Sequence, residues 1–148
     1  MKVTDVAFGR YHAAAVATDG SLWTWGYGGT AGFLNFFNQE VGALGHGDVK
    51  SNFAPKKVSF FAENNLKVLK IAAGINHTVA LCDDDNIYSW GQGLYGVLGH
   101  GSNKPSLIPK MIEEFSILRT EAAEEGISLK VKKLSASDEY TGVLTSDG

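Results

Sequence analysis

The chain repeats itself, and this repetition limits what it can fold into more strongly than any other feature of the sequence. The segment from Val6 to Gly28 aligns without a gap with the segment from Ile71 to Gly93, 65 residues later. A third copy, clear from Leu134, follows the second at a spacing of 63 residues. Repeats of this length are typical of propellers and other arrays built from one supersecondary unit.

A second motif is repeated at a different spacing. The segment Gly42–Gly47 matches Gly96–Gly101, 54 residues later, and a proline follows each of them. The change of spacing from 65 to 54 means that the first copy holds eleven extra residues, within the insertion 29–41. The second unit has a segment of its own, 113–128, whose apolar residues recur at helical spacing and whose Gly126 is a suitable helix stop. A short helix is predicted there.

Each unit is predicted to contain four short strands. The first three are apolar, branched or aromatic runs, and the fourth begins near a proline, as is usual at the start or edge of a sheet. The runs are Val3–Ala7, His12–Ala17 and Leu22–Trp25 in the first unit, and Val68–Ala73, His77–Cys82 and Ile87–Trp90 in the second, with Pro55 and Pro109 in the fourth. Asp19-Gly20 predicts a hairpin with a type I′ turn.

Composition narrows the class of protein. The 148 residues are enough for about one domain. The net charge of −3 argues against a surface that binds nucleic acid or chromatin through phosphates. The only cysteine, Cys82, cannot form a disulfide within the chain, and neither a signal peptide nor a membrane span is recognisable. These features predict an intracellular protein, cytoplasmic or nuclear, without a membrane partner.

At these motifs the chain resembles the RCC1 family, the regulator of chromosome condensation repeat. The shared pattern is Ala-x-Gly-x-x-His, an apolar strand, a turn, aromatic-x-Trp-Gly-x-Gly, and Gly-x-Leu-Gly-His-Gly before a proline. The resemblance implies that the repeated residues support the blade architecture; they are Gly9, His12, Trp25, Gly26, Gly45, His46, Gly74, His77, Trp90, Gly91, Gly99 and His100. In the third copy Ser137 and Tyr140 replace the expected glycine and histidine, so that unit is divergent.

The resemblance implies an all-β fold, a partial β-propeller with two full blades and the start of a third. The family forms rings of seven blades, so the chain is expected to be part of a larger protein. Repeat 1 is expected at about 1–65, repeat 2 at about 66–128, and repeat 3 from about 129. The segments 29–41 and 113–128 are read as insertions that interrupt the pattern.

Two signals that suggest chemistry are better explained by the repeat. Gly91–Gly96 has the spacing of a dinucleotide-binding loop, but the Val-Leu-Gly-His-Gly that follows cannot form the helix whose N-terminus holds the pyrophosphate. The four histidines occupy only two repeat positions, so we expect them to hydrogen-bond to turn backbone rather than to bind metal or act as bases. No catalytic residue, cofactor, metal or small-molecule substrate is predicted.

The insertion after Gly28 is different, because the repeat does not require its bulky apolar residues. They are Phe33, Leu34, Phe36 and Phe37, and the candidate partner-binding set is these four with Asn35. Loops ordinarily lie on the surface, where an exposed aromatic cluster is a candidate anchor for a partner. The alternative is that these side chains fold back and cap the blade.

Three functions remain open at this point. The first is a protein-interaction scaffold that binds a partner through loops and insertions. The resemblance implies the second, guanine-nucleotide exchange on a Ran-like small GTPase, which acts by differential affinity and needs no catalytic constellation. The third is a regulatory propeller attached to a ubiquitin ligase or another catalytic domain. A repeat alone does not distinguish these uses.

Overall fold

The computed structural model describes residues 2–29 and 41–148, which form three antiparallel sheets stacked in chain order. The first sheet contains β1 (Val3–Phe8), β2 (His12–Ala17), β3 (Leu22–Gly26) and β4 (Asn52–Lys57). The second contains β5 (Val68–Ala73), β6 (His77–Cys82), β7 (Ile87–Gly91) and β8 (Ser106–Met111). The third contains β9 (Val131–Ala136) and β10 (Thr141–Thr145). The fold is therefore all-β, with two four-stranded blades and a two-stranded start, as predicted.

The prolines lie inside the fourth strands rather than at their starts. Pro55 is the fourth residue of β4, and Pro109 is the fourth residue of β8. Each of these strands pairs with only one neighbour, β3 or β7. An edge strand tolerates proline because the missing N–H can point away from the ladder. The prediction that these prolines lie in edge strands is confirmed, and the prediction that each proline begins its strand is wrong.

Two α-helices connect the blades in the described residues, and only one of them was predicted. Helix α2 (Glu113–Glu124) ends as expected, since Gly126 has φ +79° and its N–H donates to Ala123 O at 3.0 Å. Helix α1 (Ser59–Glu63) has no counterpart in the sequence predictions. It occupies the same place after β4 that α2 occupies after β8. The second unit thus has a longer helix at this place than the first, and the reading of 113–128 as an insertion stays a prediction.

The hairpins between the second and third strands of each blade share one geometry. In the first, Gly20 N–H donates to Ala17 O at 2.9 Å, and Gly20 has φ +82°. Asp19 is not in the left-handed region, so the turn is not the predicted type I′, which needs two such residues. In the second blade Asp85 takes the place of Gly20, with φ +61°. Aspartate is among the few side chains that tolerate this region.

The hydrophobic core lies between the sheets. The larger cluster joins Ala14, Val16 and Leu22 of the first sheet to Ile71, Ala80, Tyr88 and Trp90 of the second, with Phe61 of α1. The smaller cluster joins Val79, Leu81 and Ile87 of the second sheet to Leu134 of β9. Because each blade contacts the next, blade order follows chain order. Neither helix in the described part of the chain is long and apolar enough to cross a bilayer.

Candidate functional site: blade boundaries and the loop surface

A hydrogen-bonded relay joins the first two blades. His12, the first residue of β2, lies with its Nε2 2.9 Å from the Thr78 hydroxyl on β6. Thr78 donates its one proton to Ala43 O at 3.0 Å, so its oxygen must accept from the histidine. His12 therefore carries its proton on Nε2. The ring bonds to a side chain of the next blade, not to turn backbone as predicted.

The Ala43 carbonyl also accepts a hydrogen bond from Trp90. The indole Nε1–H donates to Ala43 O at 3.0 Å, and the whole Trp90 side chain is buried. A carbonyl oxygen has two lone pairs, so Thr78 and Trp90 satisfy it completely. Ala43 belongs to the loop between β3 and β4, so this loop is fastened to the neighbouring blade by two buried hydrogen bonds.

The boundary between the second and third sheets repeats the arrangement. His77 Nε2 lies 3.1 Å from the Thr141 hydroxyl, which donates to Val97 O at 2.9 Å. Tyr140 stands where the third histidine would be, and its side chain is exposed. The relay is therefore present at both boundaries between the described sheets, while the third sheet carries no histidine to continue it.

The other two histidines form a relay within each blade. The Thr24 hydroxyl donates to Leu44 O at 2.7 Å and accepts from His46 Nε2 at 3.0 Å. In the second blade, Ser89 donates to Leu98 O at 2.6 Å and accepts from His100 at 2.9 Å. The four histidines thus act as neutral donors that hold loops and blades together.

Burial keeps these rings neutral. Desolvation lowers the pKa of His12 and of His77 to about 4, and for His12 the nearby His77 adds to this effect. Desolvation also lowers the pKa of His46 and of His100. Within residues 2–29 and 41–148, no group of three or more His, Cys, Asp or Glu residues is placed to hold a metal ion.

Several of the repeated glycines occupy crowded positions. Gly26 and Gly91 end β3 and β7 with positive φ, each against the backbone before the blade's first histidine. Gly45 lies against the Trp90 indole, and its counterpart Gly99 lies near Ile112. Trp25, the counterpart of Trp90 in the first blade, is only partly buried. The position of Trp90 between two blades explains why its burial is complete.

Gly74 shows the steric requirement most clearly. A Cβ at this position would overlap the Ser137 carbonyl of the third sheet and the His77 ring. We expect Gly74→Ala to lower the free energy of unfolding by about 1–3 kcal/mol, because backbone and relay must both shift. Gly142→Ala is the control, since its nearest new contact is 3.9 Å away. Denaturant unfolding of both variants checks the prediction, and an equal effect would contradict it.

The predicted partner-binding residues Phe33, Leu34, Asn35, Phe36 and Phe37 lie outside the described residues. The two ends of their insertion are close together, because Gly42 N–H donates to Gly28 O at 3.0 Å. The insertion therefore begins and ends at the edge of the blade where the β1–β2 and β3–β4 loops meet.

This edge carries exposed aromatic side chains that the sequence reasoning missed. We define the loop surface as Phe8, Tyr11, Tyr27, Tyr95 and Tyr140, which are 41–76% exposed. Arg10 lies over the Tyr11 ring at 5.2 Å. Tyr95 has φ +57°, an uncommon conformation for a bulky residue. All belong to, or adjoin, loops after the first or third strand of a blade, so they share one face of the stack.

Tyr11 and Tyr27 of the loop surface contact each other, and both are replaced by other residues in the second blade. In the first blade, the Tyr11 and Tyr27 rings meet edge to face with centroids 6.2 Å apart. At the equivalent positions of the second blade, Asn76 donates to Gln92 at 3.1 Å. A comparison of the two copies position by position would have found this signal, because the two contacting residues change together beside the unchanged His12/His77 and Gly26/Gly91.

Comparison with known proteins agrees with this architecture. The family model described as the regulator of chromosome condensation (RCC1) repeat matches residues 37–81 and 84–144. A second model with the same description matches residues 3–31 and 68–97. The E3 ubiquitin-protein ligase HERC2 of Homo sapiens is 32% identical over 141 residues, which cover 95% of this chain and 3% of that protein. The ultraviolet-B receptor UVR8 of Arabidopsis thaliana is 30% identical over 112 residues, which cover 76% of this chain and 22% of that protein.

Solved structures share the fold at lower identity. The structure of Prp20p from Saccharomyces cerevisiae superposes with a TM-score of 0.70 at 19% identity, covering 97% of this chain and 31% of that one. Human WBSCR16 superposes with a TM-score of 0.68, also at 19% identity, with the same coverage. The chain thus spans only part of the length of these relatives. Since the family models match more than half of its residues, the chain belongs to the RCC1 repeat family.

Proposed function

We propose that this segment is a protein-interaction scaffold that binds a protein partner through the loop surface and the adjoining insertion. The observation that carries the proposal is the gathering of five exposed aromatic side chains on one face. Tyrosine and arginine are enriched among the residues that dominate the energy of protein interfaces. We keep the division into repeats at about 1–65, 66–128 and from 129 as part of the proposal.

The blades suit this role because hydrogen bonds between them hold parts of the loops in place. Relays of buried hydrogen bonds fasten Ala43 and Val97, which lie in the β3–β4 and β7–β8 loops, to the next sheet. A preorganised surface loses less conformational entropy when it binds. The insertion residues Phe33–Phe37 remain proposed anchors beside this surface.

The test exchanges the tyrosine pair for the pair of the second blade. Tyr11→Asn with Tyr27→Gln recreates a contact that the fold already contains, so the variant is expected to fold normally. Proximity labelling in cells should then lose a set of proteins that the unchanged chain and the control Phe53→Ser both label. Phe53 is 98% exposed on the edge strand β4 and is not part of the loop surface. Identical labelling by all three chains would refute the role of this surface, and Phe36→Ser with Phe37→Ser tests the insertion in the same way.

The second candidate is guanine-nucleotide exchange on a Ran-like small GTPase. The observation in its favour is the similarity to Prp20p, whose structure was described with its binding to Gsp1p and histones. At 19% identity the similarity supports the fold, and the activity is an inference from the family. Release of a fluorescent GDP analogue from a panel of Ran-like GTPases measures it directly. Binding without faster release would support the scaffold, and faster release would support exchange.

A third candidate is a regulatory propeller within a larger enzyme. The relative HERC2 is a ubiquitin ligase of which this chain covers only 3%. A cytoplasmic or nuclear location is proposed for the protein, although one relative, RUG3 of Arabidopsis thaliana, is described as mitochondrial. Fractionation of cells that express the protein tests the location.

A further inference from the structure

The loops that join the first two strands of the three units meet at one cleft. The cleft measures about 590 Å³ and is lined by three consecutive residues from each unit, ending at Arg10, Ile75 and Asp138. Each of these loops lies between two described strands, β1–β2, β5–β6 and β9–β10. None of the lining residues belongs to β10, the strand whose counterparts β2 and β6 pair with a third strand. The three units themselves therefore build the cleft.

The three loops lie against one another where the repeat has its glycine. A Cβ on Gly9 would overlap Gly74 O, and a Cβ on Gly74 would overlap Ser137 O. Atoms in van der Waals contact are about 4 Å apart, so the backbones of the first and third loops are separated by about 8 Å. The next residue of each loop therefore stands in a row across the cleft.

This row changes from a cation to a carboxylate. Arg10 stands on one side of the cleft, Ile75 in the middle and Asp138 on the other side. Arg10 and Asp138 are exposed, and among residues 2–29 and 41–148 neither of them forms an ion pair. The guanidinium of Arg10 lies over the Tyr11 ring at 5.2 Å, a contact that limits its direction. Two opposite charges thus face the same cleft without a partner of opposite sign within those residues.

The departure of the third unit from the repeat is what makes the two sides differ. Where the first unit has Arg10-Tyr11 and the second has Ile75-Asn76, the third has Asp138-Glu139. The loops are otherwise built alike, since in every unit the N–H at the glycine position donates to the carbonyl three residues later at 2.9–3.0 Å. Loops of one backbone shape therefore carry opposite charges on the two sides of the cleft.

From these features we propose that the cleft binds an extended segment of a protein partner that carries an acidic and a basic residue two positions apart. The acidic side chain pairs with Arg10 and the basic one with Asp138. Alternate side chains of an extended strand point to the same face and are about 7 Å apart, which matches the separation of the two loops. Complementary charges contribute more to the specificity and register of an interface than to its affinity.

The proposal rests on the proposed function, because it names the kind of partner that the loop surface binds. Phe8 of the loop surface also lines the cleft, and Arg10 of the cleft contacts Tyr11 of the loop surface. A partner that covers the aromatic side chains therefore reaches the cleft as well.

The first experiment titrates short peptides into the isotope-labelled protein and follows the backbone amide signals by NMR. The probe is the acetylated and amidated peptide Gly-Glu-Gly-Lys-Gly. We expect saturable shifts in the three loops, with a dissociation constant on the order of 1 mM. The isomer Gly-Glu-Lys-Gly-Gly, whose charges point to opposite faces, should bind about threefold more weakly. Absence of shifts in the loops, or equal binding of the two isomers, would overturn the proposal.

Two variants each remove one charge from the cleft, and two matched controls remove the same charge outside it. Arg10→Gln and Asp138→Asn should each weaken binding of the probe about threefold, as expected for the loss of an exposed ion pair. Lys104→Gln and Glu139→Gln should leave it nearly unchanged, because these exposed residues do not line the cleft. If the variants and the controls behave alike, the binding does not come from the cleft and the proposal is wrong.

Reversal of one charge should exchange the preference of the cleft. With Arg10→Glu both sides are acidic, so the peptide Gly-Lys-Gly-Lys-Gly should bind more tightly than the probe. The unchanged protein should prefer the probe. A preference that stays the same in the variant would contradict the assignment of the two sides.

Two other occupants are outcomes of the same experiments. If free glutamate or free lysine shifts the loops as strongly as the probe, the cleft is a small-molecule site and the proposal is overturned. If sedimentation shows a dimer that Arg10→Gln separates, the cleft belongs to a second copy of the chain, with the same consequence. The peptides carry no aromatic side chain, so they decide this proposal, while the tyrosine exchange at Tyr11 and Tyr27 decides the proposed function. The two failures are therefore distinguishable.

Discussion

Replacing Trp90 with alanine is expected to lower the free energy of unfolding by about 3–5 kcal/mol, the usual cost of removing a large buried aromatic side chain. Trp90 is 0% exposed, and its ring packs against Phe61 at a centroid distance of 5.9 Å. The substitution leaves a cavity between two blades and removes one of two donors to the Ala43 carbonyl. The lost packing and the lost hydrogen bond both belong to the boundary between the first two blades, so these blades should separate more readily.

Trp25→Ala is the matched control, because Trp25 has the same place in the repeat and is only partly buried. Its expected cost is smaller, since part of its surface is already in contact with water. Chemical denaturation followed by circular dichroism measures both variants. Equal costs would show that the stability does not depend on the blade boundary.

Acidification below pH 6.5 is expected to destabilise the protein, and the buried histidines are the cause. The folded state holds the pKa of His12 and of His77 at about 4, whereas the unfolded chain titrates near 6.5. Between these values the unfolded state binds protons that the folded state does not, so the free energy of unfolding falls as the pH falls. The loss approaches about 3 kcal/mol for each ring by pH 4. Above pH 6.5 the two rings cause no pH dependence.

The variant His12→Gln with His77→Gln tests this explanation. Glutamine keeps an N–H donor in reach of the threonine hydroxyls but does not titrate. We expect the slope of unfolding free energy against pH to decrease between pH 6.5 and 4 without vanishing, because His46 and His100 still contribute in the same direction. An unchanged slope would mean that carboxylates, and not these rings, control acid unfolding.

The sequence predicted the elements whose signals are local. Short apolar runs predicted the strands, and apolar residues at helical spacing before Gly126 predicted α2. Both patterns depend on neighbouring residues only. The five residues of α1 are too few to show a period, although their alignment with Glu113 at the spacing of 54 was available. The turn type was missed because a glycine shows that positive φ is needed, but not at how many positions.

The partners of the histidines could not be predicted from one repeat. His12 bonds to Thr78, 66 residues away, and the contact exists only when two blades stack. The repeat identified the ring as important but not the residue that it contacts. The loop surface was missed for a related reason. Its tyrosines lie at positions where the copies differ, and the repeat pattern identifies only the positions that the copies share. The anchor role of Phe33–Phe37 remains a prediction.

The relay between blades has a direction, and this direction limits how the units can associate. His12 and His77 each donate towards the blade that follows, so the second blade presents a donor histidine on one face and a threonine hydroxyl acceptor on the other. The first blade carries Ala13 in place of the acceptor threonine, and the third carries Tyr140 in place of the donor histidine. Two copies stacked head to tail would join these two faces and form no relay there.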